Sequence, residues 1–181
     1  MLARAHDLIV DAYRILADEV GVENPADNQV LREATICGRL GLVWTGERGG
    51  VDALDPDGEE VEIKTTRLDL RRSVSFPTSR YVSQTVIDRF RSAGSWVFGV
   101  FSRYEELVAL YRVEADRMEP IIDRLDTRMR ERQAEGRPME NNPKIPLRDV
   151  RPRAQRLYLD GRHREYEDPR RGWVIERRLD A

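Results

Sequence analysis

The stretch from Gly49 to Thr66 constrains the fold of this chain more than any other. Asp55-Pro56-Asp57-Gly58 is turn chemistry: Pro presets φ, Asp bonds back to the backbone, and Gly accepts φ > 0. On either side stand short alternations, Val51-Asp52-Ala53-Leu54 and Val61-Glu62-Ile63-Lys64, which read as the two strands of a hairpin. Residues two apart in a strand share a face. Glu62 and Lys64 therefore point one way and Val61 and Ile63 the other, and closing the hairpin lets Asp52 reach the Glu62 side.

That places two carboxylates and one ammonium together at the end of a sheet. Paired carboxylates are hard oxygen ligands that suit Mg²⁺ with its retained waters. A divalent cation held there polarises a phosphoryl oxygen and lowers the pKa of water, while a lysine alongside orients or deprotonates that water and stabilises developing negative charge. This is the chemistry of metal-assisted phosphodiester hydrolysis. The same spacing also arises on solvated charged faces in a chain with 33 acidic residues. Lysine usage favours the first reading: the 31 basic residues include only two lysines, Lys64 and Lys144. Both fall in stretches singled out on other grounds, where a compact ammonium does what a guanidinium cannot.

At 181 residues the chain reads as one domain, long enough to bury a core without staples. No apolar run approaches the ~18 residues of a membrane span, and no signal-peptide pattern is visible. The lone Cys37 has no intrachain partner, which suits a reducing cytoplasm. Two His and one Cys are too few for a structural zinc site. The formal net charge of −2 hides an asymmetry. Residues 1–63 hold 14 acidic and 5 basic residues, whereas 64–181 hold 19 acidic and 26 basic ones. Such a division either builds a positive channel or cancels in three dimensions.

Taken in order, residues 2–20 space Ala5, Leu8, Ile9, Ala12, Tyr13 and Leu16 at the helical period, for packing in the core or against a second subunit. Asn24-Pro25-Ala26-Asp27 opens a helix that stops at Gly41. Glu33 on it either adds an acid to the site or is a solvated helix residue. Residues 42–45 form a strand, and 46–50 a bend whose Glu47 either sits near the metal or lies in an exposed loop. From 67 to 91 six Arg stand against two Asp among Ser and Thr, a composition suited to phosphates and base edges. A short helix over 85–91 turns Val86, Ile87 and Phe90 inward. Residues 95–101 and 107–113 are nearly continuous in apolar residues and form the buried centre of the sheet. Met118, Ile121, Ile122, Leu125 and Met129 mark a helix packed on that sheet. Asn141-Asn142-Pro143-Lys144-Ile145-Pro146 is extended, and its carboxamides and ammonium suit adenine and guanine edges in the major groove or an ordinary loop. The arginine-rich segment 151–181 reads as an arm on DNA backbone or as a solvated extension.

The order of these features resembles the PvuII restriction endonuclease family of the PD-(D/E)XK nucleases, from about residue 27 to 150. The resemblance rests on Asp52, Asp55, Gly58, Glu60, Glu62 and Lys64 at their spacing, on Trp-Val-Phe-Gly-Val-Phe at 96–101, on Ala-Leu-Tyr-Arg-Val-Glu at 109–114, and on Asn-Asn-Pro-Lys-Ile-Pro at 141–146. It implies an α/β restriction-endonuclease-like core with a central mixed sheet flanked by helices. The single domain 1–181 then divides into a dimer-contact helix at 1–24, a catalytic and DNA-recognition core at 25–150 and a basic extension at 151–181. It further implies a homodimeric type II enzyme that cuts both strands of double-stranded DNA at a short palindrome, using Mg²⁺, with Mn²⁺ as a substitute. Asp52, Glu62 and the Ile63 carbonyl would hold the metal, and Asp52, Glu62 and Lys64 would form the catalytic set. Asn141, Asn142 and Lys144 fall on the family's base-reading segment and Ser75 on a second one. Asp27 matches a minor-groove position through its Asp-Asn pair. Where the family carries histidines after the Ser75-like position, this chain has Phe76-Pro77-Thr78-Ser79-Arg80, which gives the central bases to Thr78, Ser79 and Arg80. Two other readings share the features: a repair or junction nuclease that ignores sequence, and a sequence-specific DNA-binding protein with an inactive nuclease site.

Overall fold

A computed structural model of the chain describes residues 10–15, 18, 28–45, 50–68 and 73–178, of which 10–15 are helical. The elements then run α1 (Asn28–Leu40), β1 (Val43–Trp44), β2 (Ala53–Leu54), β3 (Glu60–Arg67), β4 (Ser75–Pro77), α2 (Gln84–Ser92), β5 (Ser95–Phe101), β6 (Leu107–Glu114) and α3 (Ala115–Ala134). They close with β7 (Lys144–Pro146), α4 (Leu147–Val150), β8 (Gln155–Leu159), β9 (His163–Asp168) and β10 (Gly172–Arg177). The architecture is mixed α/β, a central mixed sheet of order β1-β2-β3-β5-β6-β8 flanked by helices. β3 and β5 run parallel with Glu62 opposite Trp96 and Lys64 opposite Phe98, and the other neighbours in that sheet are antiparallel.

The hairpin at the start of the sheet forms as its turn residues dictate. Gly58 sits at φ +83°, and its N–H donates to the Asp55 carbonyl at 3.0 Å. The Asp55 carboxylate accepts from the backbone N–H of Asp57 and of Glu59, at 3.0 and 2.9 Å. With the turn fixed, Ala53 pairs with Val61 and Leu54 with Glu60.

Strand alternation then sorts the core into two faces. Val61, Ile63, Val97 and Phe101 pack on Ile36 and Cys37 of α1. Trp96, Phe98 and Val100 pack on the other side with Phe90 of α2 and Met118 and Ile122 of α3. Each sealed apolar side chain of this size contributes about 1.5–3 kcal/mol, enough to hold β5 in the middle of the sheet. α1 seats closely because Ile36 fills a notch at Gly99, where a Cβ would meet Ile36 Cδ1 at 2.6 Å.

The segment after 150, which the sequence presents as an arm or an extension, is folded. β8 extends the sheet along β6, and β9 pairs with β10 as a hairpin. Ile175 enters the core, with Trp173 packed against it. The Glu165 carboxylate, 1 % exposed, accepts from Tyr111 Oη at 2.7 Å, Arg151 Nε at 2.9 Å and Arg156 Nη1 at 2.8 Å. Burial and the Glu165 carboxylate together push the Tyr111 phenol well above its ordinary value. Among the described residues no helix is long and apolar enough to cross a membrane.

Candidate active site and nucleic-acid interface

The hairpin delivers Asp52 to β3. Its Oδ2 accepts the backbone N–H of Ile63 at 2.7 Å. The Asp52 carbonyl is held in turn by the N–H and the hydroxyl of Thr45, at 3.3 and 3.2 Å. Glu62 and Lys64 project from the same face of β3, as alternation requires. The Lys64 ammonium donates to Glu62 Oε1 and, at 3.1 Å, to the Ile63 carbonyl, and its Nζ lies 3.6 Å from Asp52 Oδ2. Phe90 and Trp96 wall it in, with ring centroids at 5.7 and 6.0 Å, and aromatic faces favour a cation.

The electrostatics follow from this enclosure. Glu62 is 1 % exposed. Burial pushes its carboxyl above the usual range; Lys64 opposes the rise, Asp52 adds to it and Arg89 opposes it. Burial alone would depress the Lys64 ammonium, but Glu62 and Asp52 outweigh that and hold it above its ordinary value. Glu33 of α1 is also buried, with its oxygens engaged by Gln29 Nε2 at 2.8 Å and Trp44 Nε1 at 3.4 Å. Burial first, and Asp52 second, raise the Glu33 carboxyl.

Asp52, Glu62 and the Ile63 carbonyl offer a set of hard oxygens, and a dication beside the sealed Glu62 carboxylate would relieve the cost of burying its charge. The donor set fits Mg²⁺ or Mn²⁺. Among the described residues no group of three or more His, Cys, Asp or Glu side chains could hold a metal ion. A cation held by Asp52, Glu62 and the Ile63 carbonyl would take its further oxygens from water and substrate, an arrangement Mg²⁺ accepts. Glu33 does not complete such a group.

The segments read from the sequence as base-facing come together in a second cluster. β4 pairs antiparallel with β7, Ser75 opposite Pro146 and Pro77 opposite Lys144, over the buried Phe76 and Ile145. Tyr81 bridges to Asn141, and the Asn142 N–H donates to the Arg80 carbonyl at 2.9 Å. Thr78 is buried, and both its N–H and its hydroxyl donate to the Pro143 carbonyl, at 3.1 and 2.8 Å. Ser75 and Ser79 are half-buried, whereas Arg80, Asn141, Asn142 and Lys144 are exposed. α3 pins the far side. Arg128 donates to both Glu140 oxygens at 2.6 Å, and Arg132 to the Pro138 carbonyl at 2.9 Å. Asp27 and Glu47 lie outside the described residues.

α2 links the two clusters. It begins at its Ser83 cap, directly after the Arg80-Tyr81 segment, and carries Arg89 to Glu62, where Arg89 Nη2 stands 3.3 Å from Oε1. Sequence reasoning missed Arg89. Its only signal was membership of an arginine-rich run, and nothing local distinguishes it from Arg91, which turns away to Glu119, Asp123 and Asp126 of α3. A family model described as Restriction endonuclease PvuII matches residues 4–158, which takes in both clusters and ends within β8.

Proposed function

The chain belongs to the PvuII restriction endonuclease family, and on that premise we propose that it is a type II enzyme making Mg²⁺-dependent double-strand cuts at a short palindromic DNA site. The observation that carries this reading is the grouping of Asp52, Glu62 and Lys64 on β3, fixed by the 2.7 Å bond from the Ile63 N–H to Asp52.

Asp52, Glu62 and the Ile63 carbonyl would hold the cation, with Mn²⁺ able to replace Mg²⁺. When bound, the cation supplies Lewis acidity at the phosphoryl oxygen and lowers the pKa of the attacking water. Lys64 presents a donor at a fixed place, held by Glu62 and the Ile63 carbonyl. It orients the water for in-line attack on phosphorus and stabilises the negative charge that builds on the phosphoryl oxygens. The P–O3′ bond breaks, leaving a 5′-phosphate and a 3′-hydroxyl. Phe90 and Trp96 exclude bulk water from the Lys64 side and so strengthen each of these interactions.

The exposed Asn141, Asn142 and Lys144 read base edges from the major groove, with Ser75 beside them. Arg80, the exposed guanidinium of the neighbouring segment, takes bidentate contact with guanine. Ser79 and Thr78 complete that segment, and Asp27 approaches the minor groove. A twofold site calls for a twofold protein. The enzyme therefore acts as a homodimer with segment 1–24 at the contact, in the cytoplasm.

Digestion of a fully sequenced plasmid in Mg²⁺, with the fragment ends sequenced, tests the proposal. Discrete fragments sharing one palindrome are expected. Structure-dependent nicking without a common sequence would assign a repair or junction nuclease instead. Specific binding without cutting in Mg²⁺ or Mn²⁺ would leave a binding protein with an inactive site.

A further inference from the structure

A cleft of about 440 Å³ opens between the β5–β6 turn and the β9–β10 hairpin, and none of the residues that line it belongs to either cluster described above. Its size is that of a small-ligand pocket, about 300–1,000 Å³. Two turns build its walls. Ser102 closes the β5–β6 turn: its N–H donates to the Glu106 carbonyl at 2.8 Å, and its hydroxyl accepts the N–H groups of Tyr104 and Glu106 at 3.1 and 3.3 Å. Arg103 and Tyr104 are thereby held at the tip, with the guanidinium 4.5 Å from the ring centroid. On the other wall Arg177 stands opposite His163, and residues directly opposite in an antiparallel pair share a face. The Asp160 N–H donates to the Val108 carbonyl at 2.8 Å and ties this wall to β6.

The charges in the cleft are unequally satisfied. Arg162 pairs with Asp160 at 2.9 Å and reaches Glu106 at 3.5 Å. Arg103 and Arg177, which also line the cleft, have no carboxylate partner among the described residues. His163 is buried, with its Nδ1 3.1 Å from Asp160 Oδ2. An ionised carboxylate only accepts, so Nδ1 carries the proton. That leaves Nε2, which has no hydrogen-bond partner among the described residues. Two unpaired guanidinium groups beside a buried ring nitrogen suit an anion with several oxygens. Phosphate matches the planar fork of arginine, and Nε2 accepts from a protonated phosphate oxygen or, once protonated, donates to an ionised one. Tyr104 is 69 % exposed, and Leu68 lines the cleft with it. An open aromatic face of this kind stacks with a nucleic-acid base.

We propose that this cleft binds a nucleotide, with Arg103, Arg177 and His163 on its phosphate and Tyr104 against its base. The ligand is a free nucleotide or one nucleotide of a DNA strand, and the chemistry that recognises it is the same in both. Arg162, His163 and Arg177 lie past residue 158, where the family match ends. The site therefore belongs in large part to the stretch of chain that the match leaves uncovered, and it stands whether or not Asp52, Glu62 and Lys64 cut DNA.

The test is calorimetric titration of 5′-dAMP into the full chain without divalent cation, alongside deoxyadenosine and inorganic phosphate. Wild type is compared with Arg177→Gln, Tyr104→Ala and, as a control on an exposed arginine of the same hairpin outside the cleft, Arg170→Gln. Each is first shown to be folded by circular dichroism. Wild type should bind 5′-dAMP more tightly than either deoxyadenosine or phosphate. Arg177→Gln should weaken it about tenfold or more, Tyr104→Ala about fivefold or more, and Arg170→Gln should match wild type. No saturable binding of 5′-dAMP at millimolar concentration would overturn the inference. So would equal binding by Arg177→Gln, an equal loss in Arg170→Gln, or phosphate alone binding as tightly as the nucleotide. A DNA duplex added to the saturated complex separates the two sources. Displacement of 5′-dAMP, with the duplex itself bound more weakly by Arg177→Gln, supports the site as a seat for a DNA strand, whereas independent binding of both supports it as a seat for a free nucleotide.

Discussion

Asp52 Oδ2 accepts the backbone N–H of Ile63 at 2.7 Å, so the residue proposed as a metal ligand is also a brace between the hairpin and β3. The two roles separate by substitution. Asp52→Asn keeps an oxygen for the Ile63 N–H but removes the charge, whereas Asp52→Ala removes both. Cleavage should fall by about two orders of magnitude or more in either variant, because the cation loses a charged ligand. Asp52→Asn should melt within a few degrees of wild type, and Asp52→Ala should lose about 1 kcal/mol more for the missing bond. Plasmid cleavage and thermal melts check this, and undiminished cutting by Asp52→Ala would remove Asp52 from the site.

Thr78 ties the two segments proposed to face the bases through the Pro143 carbonyl. Thr78→Val keeps the shape and the backbone bond but loses the hydroxyl, leaving a buried carbonyl with one donor fewer. A stability loss of about 1 kcal/mol is expected. Discrimination between the cognate site and sites with one altered base pair should loosen at the same time, with Thr78→Ser restoring it. Chemical denaturation together with cleavage of singly altered duplexes measures both effects. Unaltered discrimination in Thr78→Val would separate this latch from specificity.

The β9–β10 hairpin lies beyond the family match but is anchored by the sealed Glu165 carboxylate. Glu165→Ala leaves Tyr111, Arg151 and Arg156 without their shared acceptor. A loss of about 3 kcal/mol is expected, the scale for breaking a buried ion pair from one side. Urea denaturation measures it, and a change below about 1 kcal/mol would make the hairpin a loosely attached appendage.

Cys37 gives a pH signature. Burial first, then the Glu33 and Asp52 carboxylates, push its thiol from 9.0 up to about 12. The folded state holds this proton more tightly than the unfolded chain does. The stabilisation is therefore whole below pH 9 and is lost as pH rises toward 12. Unfolding free energy should fall with pH above 9 more steeply in wild type than in Cys37→Ala, by up to about 1.4 kcal/mol per pH unit. Native protein should also react slowly with a thiol reagent at pH 8. Parallel slopes for the two proteins would contradict the shift.

Much of the fold was legible because local chemistry and tertiary demand agree. The Asp55–Gly58 turn, the apolar runs of β5 and β6, and the period of Met118 to Met129 each signal one outcome, and the structure follows them. β4 was not legible: at three residues, ending on Pro77, it has no pattern of its own and exists because β7 pairs with it. β8 to β10 were hidden by their arginines. Glu165 is the reason, since a buried acid that gathers Arg151 and Arg156 makes a charged sequence compatible with a packed hairpin. At the candidate site, alternation puts Glu62 and Lys64 on one face, as they stand in the structure. The approach of Arg89 depends on how α2 crosses β3, which no local spacing encodes.

The bond that braces Asp52 spans 11 positions of chain, and the Thr78 latch spans 65. Closing a longer loop costs more chain entropy, so the group of Asp52, Glu62 and Lys64 assembles from a short contiguous stretch while the paired β4 and β7 surface waits for distant parts to meet. In an enzyme of the proposed kind, fidelity is then the more fragile property. Warming or denaturant short of the unfolding midpoint would blur where such a chain cuts before it stopped the chain from cutting.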